Sequence, residues 1–265
     1  MINQRVKEVV EDLEKTVLDF MAKHKINHDE YRVATKYLVD SIKGGEETLM
    51  PDIFLEARAT DISNEDRAGS PEGIEGPFYL PGAPVLSAPY VLPQRKDEPG
   101  IVMFFRGRIT NIEGEPLGNV ELDFWHADAN GEYSNIHPGI PDWNLRGRIR
   151  SEKDGSYEVR TILPPPYEIP KNGPTGRLVN ALGRHYFRPA HMHVMLRQPG
   201  YEDLISQLYF EGGEYIDNDL ASAVRDNLII KLTHHEGAKD IEKRGLNAPF
   251  YEGQYDFVLR PLQAG

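Results

Sequence analysis

Val6, Val9, Val10, Leu13, Val17, Phe20 and Met21 recur mostly at three- and four-residue intervals, the spacing that stacks side chains on one face of an α-helix. A first amphipathic helix is predicted there. A second follows Asn27, which is placed to cap it with Glu30 reaching back as the capping-box partner. Its apolar stripe is Tyr31, Ala34, Tyr37, Leu38 and Ile42, and Gly44-Gly45 ends it. A third helical run, about 52–61, carries Ile53, Phe54 and Ala57, so residues 1–62 read as a small helical module. Such stripes serve a core or a subunit interface equally well. Residues 63–100 then form an extended, turn-rich connector, with proline and glycine concentrated from Gly69 to Gly100. It is no ordinary flexible linker, because Ile74, Phe78 and Tyr79 favour packing over solvent.

From Ile101 the pattern becomes strand-like. Residues 101–110 and 120–126 read as strands joined by the turn Glu113-Gly114-Glu115-Pro116, and 157–162, 191–197 and 204–210 read as further strands. Many short strands with turn signals predict a β-sandwich over 101–265. One late helical excursion is predicted from Asn218 to Leu232, on Leu220, Ala223, Val224, Leu228 and Ile229 or Ile230, followed by a closing strand over 250–259. The fold class is therefore mainly β with α, a β-sandwich preceded by a small N-terminal helical module.

Charge and composition narrow the possibilities. A net charge of -12 is spread over 265 residues with basic residues interspersed, which disfavours nucleic acid as a partner. Residues 1–19 are charged and lack an apolar h-region, and no long uncharged run follows. The expectation is no signal peptide, no membrane span and a cytoplasmic location. The chain has no cysteine, so there are no disulfides, and any metal is held by nitrogen and oxygen.

The candidate chemistry centres on Arg188-Pro189-Ala190-His191-Met192-His193. On a strand, alternate side chains face the same way, so both imidazoles would enter one pocket. Asp128, Asp142, Asp154 and Asp217 sit in turn contexts where local turn bonds are the expected role. Tyr133 and Tyr167 instead lie where a strand gives way to a turn. A phenol titrates near pH ~10 in water, so it ligates well only to a strongly Lewis-acidic ion such as ferric iron. With 13 tyrosines in the chain, placement alone does not select these two. A non-enzymatic binding module with structural histidines stays open at this point, as does a zinc hydrolase with a carboxylate ligand.

The longer motifs are more specific. They are GIEGPFYLPGAP (73–84), VELDFWHADANGEYS (120–134), DWNLRGRI (142–149), PYEIPKNGPTG (166–176), LGRH (182–185), RPAHMH (188–193) and SQLYFEGG (206–213), with Glu30-Tyr31-Arg32 and Gly44 to Glu47 in the helical start. Through them the chain resembles, over nearly its whole length, the intradiol ring-cleavage dioxygenases of the catechol 1,2-dioxygenase and chlorocatechol 1,2-dioxygenase branch. One departure is Ser70-Pro71-Glu72-Gly73 at the entrance, where many relatives carry a Pro-Arg-Thr run; it touches no expected ligand.

The resemblance implies an Fe(III) enzyme that opens catechol with O₂ to cis,cis-muconate in aromatic catabolism. It implies Tyr133, Tyr167, His191 and His193 as ligands, with Tyr167 leaving the metal when substrate binds. Arg188 would lie against the ring, and Gln207 would help position it. The implied ring contacts are Leu49, Asp52, Ile53, Ile74, Gly76, Pro77, Tyr79 and Ala221. Alanine at 221 leans toward plain catechol, whereas the stretch from Tyr167 to Pro170 resembles chlorocatechol enzymes equally well, so substituted catechols stay in view. The resemblance also implies a homodimer through the N-terminal helices, able to hold a lipid-like molecule.

Overall fold

The computed structural model describes residues 3–262, and the chain divides into two compact units after Glu47. The first holds α1 (Gln4–His24) and α2 (His28–Lys43). Asn27 accepts from the Glu30 N–H while the Glu30 carboxylate accepts from the Asn27 N–H, completing the predicted capping box. Within α1 no residue is buried, and Val6, Val9, Leu13, Val17 and Phe20 are all exposed.

The third helical run belongs to the second unit. It comprises α3 (Leu49–Pro51), a π-helical turn (Asp52–Glu56) and α4 (Ala57–Asn64). Leu49 and Ile53 pack with Ile169, Val179 and Leu220, and Ala57 packs with Ile74, Ala221 and Ala223. A module ending at residue 62 therefore crosses the division between units, because the apolar side chains of this run are buried among residues far along the chain.

The rest of the second unit is a pair of five-stranded sheets. One sheet is built on β1 (Val102–Asn111), which pairs antiparallel with β4 (Ser156–Ile162) and parallel with β11 (Phe250–Gln254) and β12 (Phe257–Leu259); β10 (Leu232–His235) joins β11. The other runs in the order β3 (Arg146–Arg150), β2 (Glu121–Trp125), β7 (His191–Arg197), β8 (Leu204–Phe210), β9 (Ile229–Ile230). A short ribbon, β5 (Tyr167–Glu168) with β6 (Phe187–Arg188), and the helices α5 (Pro174–Ala181) and α6 (Ala238–Lys243) complete it. Period-two alternation sends Met103, Phe105 and Ile109 of β1 inward to meet Leu122 and Phe124 of β2 and Met192, Val194 and Leu196 of β7. All of these are fully buried, each contributing about 1.5–3 kcal/mol of transfer free energy.

Two expectations need correction. Residues 218–232 are not a helix. They form 3₁₀ turns at Ile216–Asn218 and Asp226–Leu228, then β9 and the start of β10. The apolar residues that look like one helical stripe belong to different clusters: Leu220 packs with Ile169 and Val179, Ala223 with Ala57, and Leu228 and Ile230 with the sandwich core. The closing strand is likewise two strands, β11 and β12, both paired to β1.

Candidate metal centre and substrate pocket

β7 is buried on both faces. Met192, Val194 and Leu196 fill the sandwich, so His191, His193 and Met195 must point the other way, where another apolar layer covers them. That layer groups Met195 with Phe78 of the connector, Trp125, Ala127, Tyr133 and Tyr167. The connector is fixed there by its backbone. Gly73 donates its N–H to the Ile205 carbonyl at 3.0 Å, and a Cβ on Gly73 would come within 2.5 Å of the Gln207 nitrogen. Farther along, the Glu56 carboxylate accepts the N–H groups of Glu75 at 2.8 Å and Gly76 at 3.3 Å.

Four proposed ligands from three parts of the chain meet under this cover. The Tyr133 oxygen lies 3.4 Å from His191 Nε2. Ring centroids are 5.5 Å apart for Tyr133 and Tyr167, 5.4 Å for Tyr167 and His191, and 4.9 Å for His191 and His193. Each ring is held from behind. Nδ1 of His191 lies 2.7 Å from the Pro189 carbonyl oxygen, to which it donates its proton, and this leaves the Nε2 lone pair free. His193 stacks on Trp125 at 4.7 Å and 7°, and these two residues face each other across β7 and β2. Tyr167 faces Arg188 across the β5–β6 ribbon. Tyr133 follows a turn organised by the buried Asp128, whose carboxylate accepts the N–H groups of Asn130 and Glu132 and pairs with Arg95 at 2.6 Å. The turn role expected for Asp128 holds.

Electrostatics prepare these groups to meet a cation. Burial, reinforced by the Arg188 charge, lowers the His191 pKa to about 3. Burial and the neighbouring His191 push His193 well down. Both imidazoles are therefore neutral with lone pairs available. The two phenols are pushed up chiefly by burial, Tyr133 also by Tyr167, while Arg188 opposes the shift at Tyr167. A highly charged cation reverses that balance by favouring phenolate. Among the described residues no group of three or more His, Cys, Asp and Glu could hold a metal ion. The donors that accompany the histidines are phenols, a set suited to a hard trivalent ion.

A pocket opens beside Tyr167 and His193. It is lined by Leu49, Asp52, Ile53, Ile74, Glu75, Gly76, Pro77, Phe78, Tyr167, Ile169, Arg188, His193 and Ala221. Seven of the eight sequence-expected ring contacts from the helical run, the connector and position 221 thus meet here, and Ala221 does so from a turn rather than a helix. Tyr79 does not. Its ring packs on Trp125 at 4.9 Å, and its hydroxyl accepts from Arg197 at 2.8 Å and lies 3.4 Å from Asp123. Gln207 lies behind the pocket wall, its Nε2 3.1 Å from His193 Nε2 and its Oε1 accepting from Arg188 Nη2 at 2.9 Å.

Residues that the sequence motifs did not single out complete the surroundings. Asp219 forms a buried ion pair with Arg188 at 2.9 Å, and Tyr209 accepts from Arg188 Nη2 at 3.0 Å. Arg146 is buried with its guanidinium 5.7 Å from the Tyr133 ring centre, donating to the Phe78 carbonyl at 2.8 Å and to Ser134. Burial lowers its pKa to about 10. The basic stretch Arg146–Arg150 is β3, paired with β2 from Arg146↔Trp125 to Arg150↔Glu121.

Similarity to known proteins agrees with this geometry. A family model described as Dioxygenase matches residues 74–261. The chain is 42% identical over 235 residues to the chlorocatechol 1,2-dioxygenase of Rhodococcus opacus, covering 88% of this chain and 91% of that one. It is 33% identical over 276 residues to the catechol 1,2-dioxygenase of Acinetobacter baylyi, covering 99% of this chain and 88% of that one. The crystal structure of 3-chlorocatechol 1,2-dioxygenase from Rhodococcus opacus superposes with a TM-score of 0.90 at 40% identity, over 97% of this chain and 99% of that chain. The chain belongs to the intradiol ring-cleavage dioxygenases, in the branch of the catechol and chlorocatechol 1,2-dioxygenases.

Proposed function

We propose that the chain is an Fe(III)-dependent dioxygenase that opens catechol with O₂ to cis,cis-muconate in aromatic catabolism, with Tyr133, Tyr167, His191 and His193 as the metal ligands. The observation that carries this reading is the convergence of two buried phenols and two neutral imidazoles beside a largely apolar pocket. Tyr133, Tyr167, His191 and His193 would hold the iron(III), which would supply a Lewis-acidic, redox-active centre for a catechol and O₂.

The protein side of the reaction follows from placement. Held as a phenolate, Tyr167 would accept one catechol proton at its oxygen, so no external base is needed for that proton. Ile53, Ile74, Pro77, Ile169 and Ala221 exclude water around the ring. Arg188, fixed beside Tyr167, offers a positive charge to the negative charge that develops on the ring.

Chlorocatechols and methylcatechols, giving substituted muconates, are the second reading. Similarity to chlorocatechol 1,2-dioxygenases favours the chlorinated substrates, whereas Ala221 in the wall favours the unsubstituted ring. A methyl-sized difference in such a wall is worth only about 1–3 kcal/mol, so the classes overlap. Within the helical start, residues 1–47 would drive dimerisation, while Leu49, Asp52 and Ile53 join the 63–100 connector in closing the pocket and 101–265 carry catalysis. The apolar stripe of α1 supports a homodimer, with room in the proposal for a lipid-like molecule between the helices. No described helix is long and apolar enough to cross a membrane, and a cytoplasmic location is part of the proposal.

The test is spectroscopic and kinetic. Iron-loaded protein is expected to be burgundy, with phenolate-to-iron absorption in the visible, and to consume one O₂ per catechol with muconate as product. Tyr133→Phe is expected to abolish both colour and turnover. An iron-free, colourless preparation that is fully active would refute the assignment, and rates on catechol, methylcatechols and chlorocatechols rank the substrates.

A further inference from the structure

Asp219 lies in a turn between β8 and β9, behind the pocket wall, and its carboxylate holds two different things at once. On one side it forks the Arg188 guanidinium: Nε donates to Oδ1 at 3.0 Å and Nη2 to Oδ2 at 2.9 Å. On the other it organises its own turn, with Oδ1 accepting from the Ala221 N–H at 3.2 Å and Oδ2 from the Ala223 N–H at 3.0 Å. Four donors thus fill both carboxylate oxygens. The side chains of Asp219 and Arg188 are only 1% and 6% exposed, so neither charge has water as an alternative partner.

The same turn holds a strained backbone position. Ser222 sits at φ 51°, in the left-handed region, and donates its N–H to the Asp219 carbonyl at 2.9 Å. Two of the three residues held by the carboxylate line the pocket, Arg188 carrying charge and Ala221 carrying shape. Their separation is therefore set by one rigid, planar group. A fork between carboxylate and guanidinium fixes direction as well as distance.

We propose that Asp219 is a positioning residue that sets the ring between Arg188 and Ala221, and through that spacing governs both turnover and the discrimination among ring substituents. The inference rests on reading this pocket as the catechol site. Asp219→Asn replaces one acceptor oxygen with an NH₂ facing donors that already point at it, which releases either the guanidinium or the turn. Asp219→Glu keeps charge and fork but lengthens the arm by one methylene, moving one wall against the other. Displacement on the ångström scale at a reacting centre costs on the order of 10²-fold in rate.

The experiment compares the iron-loaded parent with Asp219→Asn, Asp219→Glu, Arg188→Gln and the double variant Asp219→Asn/Arg188→Gln. Visible absorption and thermal midpoint establish metal content and folding, and kcat and KM are then measured for catechol and 4-chlorocatechol. Asp219→Asn is expected to lower kcat for catechol about 30- to 100-fold with KM changed by less than about fivefold. Asp219→Glu is expected to recover much of kcat while changing the ratio of kcat/KM between the two substrates by more than about fivefold. Adding Asp219→Asn to Arg188→Gln is expected to cost less than about threefold more, since the residue acts through the guanidinium. A merely structural role would lower the thermal midpoint and leave both kcat and the ratio within about twofold of parent, and that result overturns the proposal. Should Asp219→Asn not fold, the substrate ratio of Asp219→Glu decides in the same way. A parent that turns over no catechol overturns the proposed function and this inference with it, whereas an active parent with unmoved variants overturns this inference alone.

Discussion

Gly131 offers the most direct handle on the proposed metal centre. It adopts φ +82°, and a Cβ built there would stand 2.7 Å from the Cβ of Tyr167 and 3.5 Å from its Cα. Ordinary van der Waals contact begins at 3.4 Å, so in Gly131→Ala the Tyr167 side chain or the 128–131 turn must give way by about 0.7 Å, an overpacking cost of about 1–3 kcal/mol. The left-handed backbone adds about 1–2 kcal/mol for any residue bearing a Cβ. Gly114 separates the two effects, because it has φ +86° but nothing within 4 Å of an added Cβ. Gly114→Ala therefore carries the backbone penalty alone and is expected to lower the thermal midpoint by about 2–6 °C with unchanged kinetics. Gly131→Ala is expected to lose more stability, to shift the visible absorption because one proposed phenolate ligand has moved, and to lose about 10- to 100-fold in kcat/KM for catechol. Calorimetry, absorption spectra and oxygen uptake on the two variants side by side make the comparison. Equal kcat/KM in both would refute the argument that the 131 backbone fixes Tyr167.

Two further predictions concern charge. His126 is fully buried, with Nε2 2.6 Å from the Thr161 hydroxyl and Nδ1 2.7 Å from the Ala127 carbonyl, and burial lowers its pKa to about 4. Because the unfolded chain takes up the proton near pH ~6.5, stability falls as pH drops from there to about 4, by at most about 3 kcal/mol from this residue. His126→Gln is expected to flatten the fall in thermal midpoint over that window, and an unchanged slope counts against the assignment. At the pocket, Asp52 and Glu75 both have raised pKa values, from burial first, then for Glu75 from the Asp52 charge. Above those values the lining is anionic, so a ring-carboxylated catechol is expected to be a poor substrate, improved about fivefold by Asp52→Asn through loss of about 1 kcal/mol of repulsion. Equal rates on carboxylated and plain catechol in the parent would remove this reading.

How much of this was legible in sequence depended on whether the signal was local. The Asn27 capping box and the alternation of β1 and β7 are read directly, since both are set within a few residues. The helix expected over 218–232 fails because its apolar residues are buried against three separate partners, which periodicity cannot distinguish from one face. The motif implies a ring contact for Tyr79, but it does not say that Arg197 and Asp123 hold the Tyr79 hydroxyl. Asp219 was invisible for the opposite reason: nothing near it in sequence reveals that Arg188 lies against its carboxylate. Arg146 is missed similarly, because a basic pentapeptide gives no hint that its first residue lies buried over Tyr133.

The two-faced burial of β7 ties the proposed metal binding to strand registration. A slip of one residue would send His191 and His193 into the sandwich interior and turn Met192 and Val194 toward the tyrosines. A chain slipped by one residue cannot present the imidazole pair, so the appearance of the proposed iron colour during refolding would report that this central strand has its correct face toward the tyrosines.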